Sequence, residues 1–396
     1  MKRRPDALRI ILCILILLTM ILSFGACSKG SRTTPAKERD RASNLIPALG
    51  ITTIEHDEKF GGVNIKISID DFNALGFAFG DSLNIYFSNG FEVKGVPYYN
   101  GFYVDTGDPV LVGYPGYQYV RLTYNYGEDM YVKGGLTEKT TVTVQLESKG
   151  KYLNIQESMD IHYSDDQGDK SDAVFANFRA ANVGNLRWNI LYRSASPVDD
   201  QHNRAAVTDR LAAEAGIAYV IDLSDSEEDL AGLLSAEGFN SPYFRSLYDQ
   251  KKYVALSMSS AYRNESFSKK LVEGLTAASG FDGPYLVHCV EGKDRTGFVC
   301  MVLEALAGAS YNEIVDDYML TYDNYYGINE TGDPTRYKTI KEKNIDEMLQ
   351  YIAGFGQAEE VTTADLAHCA NEYLLSIGMK ADDLDALKAK LIRGMS

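Results

Sequence analysis

Residues 285–308 read YLVHCVEGKDRTGFVCMVLEALAG, and this stretch decides how the second half of the chain folds. Its first four residues, Tyr285-Leu-Val-His288, form a short apolar run that is typical of a buried strand. Beyond Phe298, apolar residues recur at helical spacing up to Gly308, at Val299, Val302, Leu303 and Leu306. A strand, a glycine-containing loop and a helix beginning near Thr296 predict an anion-binding loop, because loop amides and helix N-termini carry partial positive charge.

Five residues of this loop bear on its chemistry. Cys289 stands at the start of the loop, where the positive field favours a thiolate, and is therefore a candidate nucleophile. Arg295, six residues later, can clamp two oxygens of a phosphate ester. Gly292 lets the backbone approach the phosphate, and the Thr296 hydroxyl can donate to the sulfur. We expect His288 to fix the loop by hydrogen bonding rather than to donate a proton to the substrate.

The rest of the loop is expected to bind the substrate, through Val290, Glu291, Gly292, Lys293 and Gly297. The spacing Cys-x5-Arg alone arises by chance, but the adjoining histidine, glycine, Thr-Gly pair, strand and helix make it specific. A metal site would need further His or Cys at ligand spacing, and the sequence offers none nearby. A merely structural cysteine would not be expected beside Lys293, Asp294 and Arg295. We therefore expect a site without metal or cofactor.

The loop HCVEGKDRTG resembles the protein tyrosine phosphatase superfamily, and specifically its bacterial secreted branch with the loop HCxxGKDRTG. Four further segments are similar to motifs of that branch, in the expected order: Asn177-Phe-Arg179 to NFRDLGG, Leu191-Tyr-Arg-Ser194 to LYRS, Gly216–Leu223 to GIxxVIDLR, and Ile314–Leu320 to IxxDYLL. The resemblance covers residues 170–396. It implies a phosphatase that acts on phosphotyrosine, sometimes on phosphoserine or phosphothreonine, and often on phosphoinositides.

Two positions depart from the pattern of the branch. Its opening motif becomes NFRAANVGN here, so that Ala180 replaces an aspartate and the glycine pair is interrupted. Ser224 replaces an arginine that supports the site in the branch. Neither change touches Cys289, but both leave the substrate preference open.

The general acid has two candidates. A leaving group needs a carboxylic acid within hydrogen-bonding reach of the ester oxygen. The resemblance to the branch implies that Asp294, within the loop, takes this role. Asp222 is the alternative, because it ends a predicted strand at the edge where α/β sites collect; otherwise it caps a helix or holds Arg295. Lys293 either meets a second phosphate, which favours phosphoinositides, or is a solvated loop lysine.

A length of 396 residues predicts two folded domains. Residues 45–167 alternate apolar and polar side chains, as at Val142, Val144 and Leu146 or at Val63, Ile65, Ile67 and Ile69, and Asn89-Gly90 favours a hairpin. We predict an all-β sandwich or barrel there. Residues 168–396 are predicted to form an α/β phosphatase domain with a mostly parallel sheet flanked by helices, since helical and strand patterns alternate.

The β region is rich in tyrosine around its middle, at Tyr98, Tyr99, Tyr103, Tyr114, Tyr117, Tyr119, Tyr124 and Tyr126. Such a band is either a face that binds glycan or peptide, or ordinary cross-strand aromatic packing, which we favour. The ligand of the β domain is not evident from the sequence.

The first 26 residues have the pattern of a signal peptide: a basic start, an apolar run from Ile10 to Leu22, and small residues before Cys27. The ending Phe-Gly-Ala-Cys resembles the bacterial lipobox, which implies that Cys27 is lipidated. We expect an enzyme anchored by lipid on the extracellular side of the cell membrane, with residues 27–44 as a flexible tether. An uncleaved membrane anchor is the alternative.

The composition excludes some other functions. A net charge of −16 makes nonspecific binding of nucleic acid unfavourable. Few cysteines argue against a disulfide framework; Cys300 is expected in the core, or as a redox partner of Cys289, and Cys369 in helix packing. The leading hypothesis is a phosphotyrosine phosphatase. The alternatives are a phosphoinositide or inositol phosphate phosphatase, and a surface protein that binds phosphate esters while the β domain does the work.

Overall fold

The structure is a computed structural model that describes residues 46–58, 61–105, 107–355 and 361–394. The expected signal peptide, the lipidation site Cys27 and the tether all lie outside the described residues. In the described ranges, no helix combines the length and the apolar character needed to cross a membrane.

The first part of the described chain forms a closed barrel of seven strands. In chain order these are β1 (Ala48–Asp57), β2 (Gly62–Ile65), β3 (Ser82–Phe87), β4 (Glu92–Tyr99), β5 (Pro109–Val112), β6 (Val120–Tyr124) and β7 (Thr141–Ser148). They hydrogen-bond in the order β1-β2-β6-β5-β4-β3-β7, and β4 with β5 is the parallel pair. Of the two β architectures that the alternation allowed, the structure is the barrel.

Short helices interrupt the barrel pattern: α1 (Ile69–Ala74), α2 (Met130–Lys133) and α3 (Leu153–Met159). The prediction that strand alternation runs on through Ile69 is wrong, because β2 ends at Ile65. Ser68 accepts a hydrogen bond from the backbone N–H of Asp71 (3.1 Å) and so caps α1. The helix signal, a capping serine followed by acidic residues, therefore outweighs the strand signal of Ile67 and Ile69.

The tyrosine band divides between buried and exposed positions. Tyr98 and Tyr99 are buried, and the Tyr98 ring packs edge-on against Phe72 at 5.1 Å. Tyr114 and Tyr126 are exposed. Aromatic packing, the interpretation we favoured, therefore accounts for part of the band. A face that binds glycan or peptide stays the alternative for its exposed part.

The second part of the described chain is rich in helices and contains a five-stranded mixed sheet. Its strands are β8 (Arg179–Ala180), β9 (Leu191–Ser194), β10 (Tyr219–Asp222), β11 (Tyr253–Ala255) and β12 (Tyr285–His288), in the order β11-β10-β12-β9-β8. All neighbours are parallel except β8 with β9, which confirms a mostly parallel sheet.

Helices cover both faces of this sheet. They are α4 (Asp172–Phe175), α5 (Ala205–Ala215), α6 (Glu227–Ser235), α7 (Pro242–Asp249), α8 (Glu265–Ser279), α9 (Asp294–Leu306), α10 (Tyr311–Tyr326), α11 (Pro334–Ile340), a π-helical turn (Lys341–Asp346), α12 (Glu347–Ala353), α13 (Leu366–Ser376) and α14 (Ala381–Leu391). The sequence predicted an apolar stripe on α9, but every residue from Thr296 to Leu306, including Cys300, is buried. This helix lies inside the core, where α10 and α13 also pack on it.

The register of three strands brings their ends together. Asp222 pairs with His288, and His288 pairs with Ser194. Each of these residues ends its strand, so the three following loops leave the sheet at one edge. The 288–297 loop thus lies between the loops that follow β9 and β10.

The barrel and the sheet belong to one compact unit, Pro47–Ser396. The Arg336 side chain donates from Nε to the carbonyl of Glu157 on α3 (2.9 Å). Lys343 Nζ lies 3.3 Å from a carboxylate oxygen of Asp105 in the barrel. The domain boundary expected at 167 and 168 stays a prediction.

We expect the barrel to depend on its interior and not on its outer face. Replacing Ile85, which is 0% exposed, with alanine should lower the free energy of unfolding by about 2–5 kcal/mol, because a cavity remains. The matched change Ile51→Ala, at a residue that is 80% exposed, should cost less than about 0.5 kcal/mol. Urea unfolding of both variants measures the difference, and equal losses would contradict the assignment of the core.

Candidate active site

A cleft of about 310 Å³ opens beside the 288–297 loop. It is lined by Gln201, His202, Ser260, Cys289, Val290, Glu291, Lys293, Asp294 and Arg295. Six of these nine residues are site residues that the sequence predicted. Of the other predicted residues, Asp222, His288 and Thr296 are fully buried and do not line the cleft.

Three successive carbonyl groups of the loop are anchored by donors outside it. The bonds run from Ser196 N to Val290 O (3.0 Å), from Tyr325 Oη to Glu291 O (2.6 Å), and from Asn177 Nδ2 and Arg193 Nη2 to Gly292 O (3.1 and 3.2 Å). A trans peptide directs its N–H opposite to its carbonyl. The N–H groups of residues 291–293 therefore point away from the anchors, and none of them has a hydrogen-bond acceptor within the described ranges. This is the arrangement of an anion-binding nest.

Position 292 requires a glycine because of its backbone conformation and because of the atoms around it. Its φ of +67° lies in the left-handed region, which favours glycine. A Cβ atom there would stand 2.1 Å from the carbonyl oxygen of Ser194, at the end of β9. The loop thus approaches the β9 backbone more closely than any side chain would permit.

A buried ion-pair network holds the anchors in place. Asp317 on α10 accepts from Arg179 Nε (2.7 Å) and from Arg193 Nη1 (2.5 Å). Arg179 also donates to the amide oxygen of Asn177 (2.6 Å). Burial opposes the charge on Asp317, but the two guanidinium groups hold the pKa of this carboxyl well below its usual range. A buried carboxylate that is paired in this way can orient both arginines.

This network accounts for three of the four ordered motifs of the sequence. Asn177 and Arg179 come from the NFR segment, Arg193 from LYRS, and Asp317 from the IVDDYML segment. The sequence placed these motifs in order but did not assign them a role. In the structure they meet beneath the 288–297 loop, so we interpret them as its support.

Cys289 and Arg295 lie at opposite ends of the loop and share the cleft. Cys289 follows β12 directly and is 3% exposed. Arg295 lies in the first turn of α9, where its Nη1 donates to the carbonyl of Met258 (3.1 Å). That bond holds the guanidinium at the cleft. The expected bond from Thr296 to the Cys289 sulfur is not formed, since the Thr296 hydroxyl has no hydrogen-bond partner among the described residues.

The two acid candidates occupy different environments. Asp294 begins α9, its side chain is half exposed, and it lines the cleft. Asp222 is 0% exposed, and its Oδ1 accepts from the N–H groups of Ser224 and Asp225 (2.9 and 3.1 Å). Burial raises the pKa of Asp222 to about 6, although these hydrogen bonds act to lower it. Asp222 therefore shapes the turn after β10. The helix that follows is capped by Ser226 and not by Asp222.

His288 is a core residue in this structure. Burial lowers its pKa to about 4, so that the ring is neutral near pH 7. Its Nε2 lies 3.9 Å from a carboxylate oxygen of Asp222, which is too far for a hydrogen bond. The ring makes an edge contact with Phe244 at 6.5 Å. We expected it to hold the loop by a hydrogen bond, but neither ring nitrogen has a hydrogen-bond partner among the described residues.

Lys293 is engaged by its neighbours and is not a solvated lysine. Its Nζ lies 3.1 Å from Tyr326 Oη and 3.3 Å from Glu291 Oε2. Burial disfavours its charge, but Asp294 and the nearby tyrosines and Glu291 raise its pKa well above the usual range. The ammonium is thus a fixed positive charge at the wall of the cleft.

Sequence reasoning missed three residues of the cleft: Gln201, His202 and Ser260. Gln201 and His202 belong to the loop after β9, which leaves the sheet beside the 288–297 loop. Asp165 binds His202 through Nδ1 at 3.0 Å. The LYRS motif just before this loop indicated that the loop lies near the site. The residue types of Gln201 and His202 did not indicate that they line the cleft.

A family model matches the part of the chain that contains the cleft. Residues 175–393, more than half of the chain, match the family model described as "Tyrosine phosphatase family". A curated tyrosine-protein phosphatase from Nostoc commune is 30% identical over 116 residues, which cover 28% of this chain and 40% of that protein. A crystal structure of an uncharacterized conserved protein from Thermotoga maritima covers 24% of this chain and 35% of its own, at 21% identity and a TM-score of 0.22. That score is too low to indicate a shared fold.

The close approach at Gly292 gives a test of the loop. Gly292→Ala should abolish binding of inorganic phosphate, or weaken it by about 100-fold or more, because the added methyl group displaces the loop and its N–H groups. Gly232→Ala is the matched control, since it lies in α6 with nothing within 4 Å of the new atom. Calorimetric titration with phosphate measures both, and undiminished binding by Gly292→Ala would contradict the nest.

Proposed function

Since the chain belongs to the tyrosine phosphatase family, we propose that it hydrolyses phosphate monoesters through a phosphocysteine intermediate, with protein phosphotyrosine as the most favoured substrate. One observation carries this proposal. Cys289 and Arg295 line one cleft with the loop whose N–H groups at residues 291–293 lack acceptors in the described chain. A thiolate, a guanidinium and several N–H donors around one cavity suit the charge that develops on a transferred phosphoryl group.

In the first step, the Cys289 sulfur attacks phosphorus. The S–P bond forms as the P–O bond to the leaving group breaks, and Asp294 gives its proton to the departing oxygen. Arg295 and the N–H groups of the loop bind the three equatorial oxygens throughout. The products of this step are the dephosphorylated alcohol or phenol and the phosphocysteine.

In the second step, water attacks the phosphorus of the phosphocysteine. The Asp294 carboxylate takes a proton from this water as the new P–O bond forms and the S–P bond breaks. Inorganic phosphate leaves, and the Cys289 thiolate and protonated Asp294 are regenerated. The buried Thr296 hydroxyl has no hydrogen-bond partner within the described residues. We propose that it turns to donate to the sulfur as this becomes the leaving group.

The geometry favours Asp294 over Asp222 as the acid. Asp294 lines the cleft and is open to a substrate, whereas Asp222 is enclosed and uses one oxygen to hold the turn after β10. A donor must lie within hydrogen-bonding reach of the leaving oxygen. Asp222 would need the turn to open before it met that condition.

A phosphoinositide or inositol phosphate remains the second candidate substrate, supported by the positive Lys293 at the wall of the cleft. Because Lys293 is already paired with Glu291 at 3.3 Å, we place phosphotyrosine first. The third candidate, a surface protein that only binds phosphate esters, is distinguished by turnover.

We also propose that Cys27 carries a lipid that holds the enzyme on the extracellular side of the membrane.

Cys289→Ser should remove phosphate release from a phosphotyrosine peptide, with a loss on the order of 10⁴–10⁶ in kcat, because a serine hydroxyl is a poor nucleophile here. Cys369→Ser is the control, since this partly buried cysteine lies on α13, outside the cleft. Phosphate release by both variants is measured with the wild type. Turnover retained by Cys289→Ser would exclude the mechanism, and a wild type that binds phosphotyrosine without hydrolysing it would favour the binding protein.

Asp294→Asn should lower kcat by about 10²–10⁴-fold on phosphotyrosine peptides, whose leaving group needs a proton. The loss should be much smaller with an aryl phosphate whose phenol leaves readily as the anion. Asp222→Asn preserves the Oδ1 acceptor and should leave the kcat ratio of the two substrates unchanged. A leaving-group dependence that appears in Asp222→Asn and not in Asp294→Asn would reverse the assignment.

A further inference from the structure

The 288–297 loop contains a carboxylate where it is expected to bind an anion. Glu291 lines the cleft, and its side chain is about three-quarters buried. Burial opposes ionisation, but Lys293, Tyr163 and His202 lower the pKa of Glu291, so that it is negative at neutral pH. A free carboxylate at this position would repel a phosphate dianion and compete for its donors.

Both oxygens of this carboxylate are directed to neighbours. Tyr163 Oη donates to Oε1 at 2.7 Å. Lys293 Nζ lies 3.3 Å from Oε2, and His202 Nε2 lies 4.0 Å from Oε1. The hydroxyl of Tyr163 makes the shortest of these contacts, and it is a neutral donor that comes from outside the loop.

The ring of Tyr163 is itself held on several sides. It stacks on Tyr325 with a centroid distance of 4.8 Å and meets Tyr326 edge-on at 5.5 Å. The guanidinium of Arg204 lies over the face of the Tyr163 ring, 4.8 Å from its centroid. Arg204 in turn donates to the carbonyl of Ser164 (3.1 Å). These contacts fix where the hydroxyl points, and they would all remain if the hydroxyl alone were removed.

Tyr163 belongs to the connection between the barrel and the sheet. It lies four residues after the end of α3 (Leu153–Met159) and before α4 (Asp172–Phe175). The next residues of the same segment also reach the cleft wall, since Asp165 binds His202 at 3.0 Å. The connection is therefore built into the site.

We propose that Tyr163 is a positioning residue that holds the Glu291 carboxylate away from the phosphate position, and so keeps the 288–297 loop able to bind an anion. The inference rests on the proposed function for its kinetic test, but not for its binding test. Tyr163 acts through Glu291 and has no role in bond making or breaking. Its loss should therefore weaken the binding of phosphate groups without slowing the chemical step.

Tyr163→Phe is the test variant, because it removes only the hydroxyl. Tyr152→Phe is the matched control, since its hydroxyl donates to the carbonyl of Gly95 in the barrel (2.9 Å). We expect Tyr163→Phe to raise the Kd for inorganic phosphate and the KM for an aryl phosphate by roughly tenfold, with kcat changed less than about twofold, as the loss of a hydrogen bond to a charged group predicts. Tyr152→Phe should change neither constant.

Glu291→Gln completes a double-mutant cycle. In that background, Tyr163→Phe should no longer weaken phosphate binding, because the negative charge is gone. An unchanged Kd in Tyr163→Phe, or the same tenfold loss with and without Glu291→Gln, overturns the inference, and so does a loss confined to kcat. A wild type that binds phosphate but does not turn over would overturn the proposed function, while the calorimetric cycle would still decide the role of Tyr163.

Discussion

The carboxylate of Asp317, shared between Arg179 and Arg193, is the contact on which the site depends. It orients Arg193 toward the carbonyl of Gly292, while Arg179 orients Asn177 toward the same atom. With this carbonyl drawn outward, the following N–H is turned the opposite way, because the peptide is planar. Buried charges are costly unless they are paired, so the network forms only when strand, helix and loop are all in place.

The groups that attract an anion lie at the cleft itself, and they act against the net negative charge of the whole chain. A net charge of −16 should repel phosphate esters at long range. Within the cleft, Arg295, the helix N-terminus and the loop amides supply the attraction. Lys293 compensates Glu291 and adds little net charge of its own. Such an arrangement binds phosphate by contact at short range rather than by steering from solution.

The barrel and the sheet are more closely connected than the expected pair of domains suggests. The segment after α3 supplies Tyr163 to the loop residue Glu291 and Asp165 to His202. The alternation in 45–167 indicated a β structure and left its relation to the site open. These contacts join residues that are 37 and 128 positions apart. They have no local pattern in the sequence, so only the folded chain shows them.

Local residue patterns were enough to predict several parts of this protein. The run from Tyr285 to Leu306 determined a strand, a loop and a helix, and the spacing of Cys289 and Arg295 indicated where an anion would bind. The resemblance to a phosphatase branch favoured Asp294 over Asp222 as the acid, but the residue types alone did not show which carboxylate faces the cleft. The folded chain shows that Asp294 is open to the cleft and that Asp222 is enclosed. Burial depends on what packs around a residue, and distant segments, not neighbours in the chain, supply that packing.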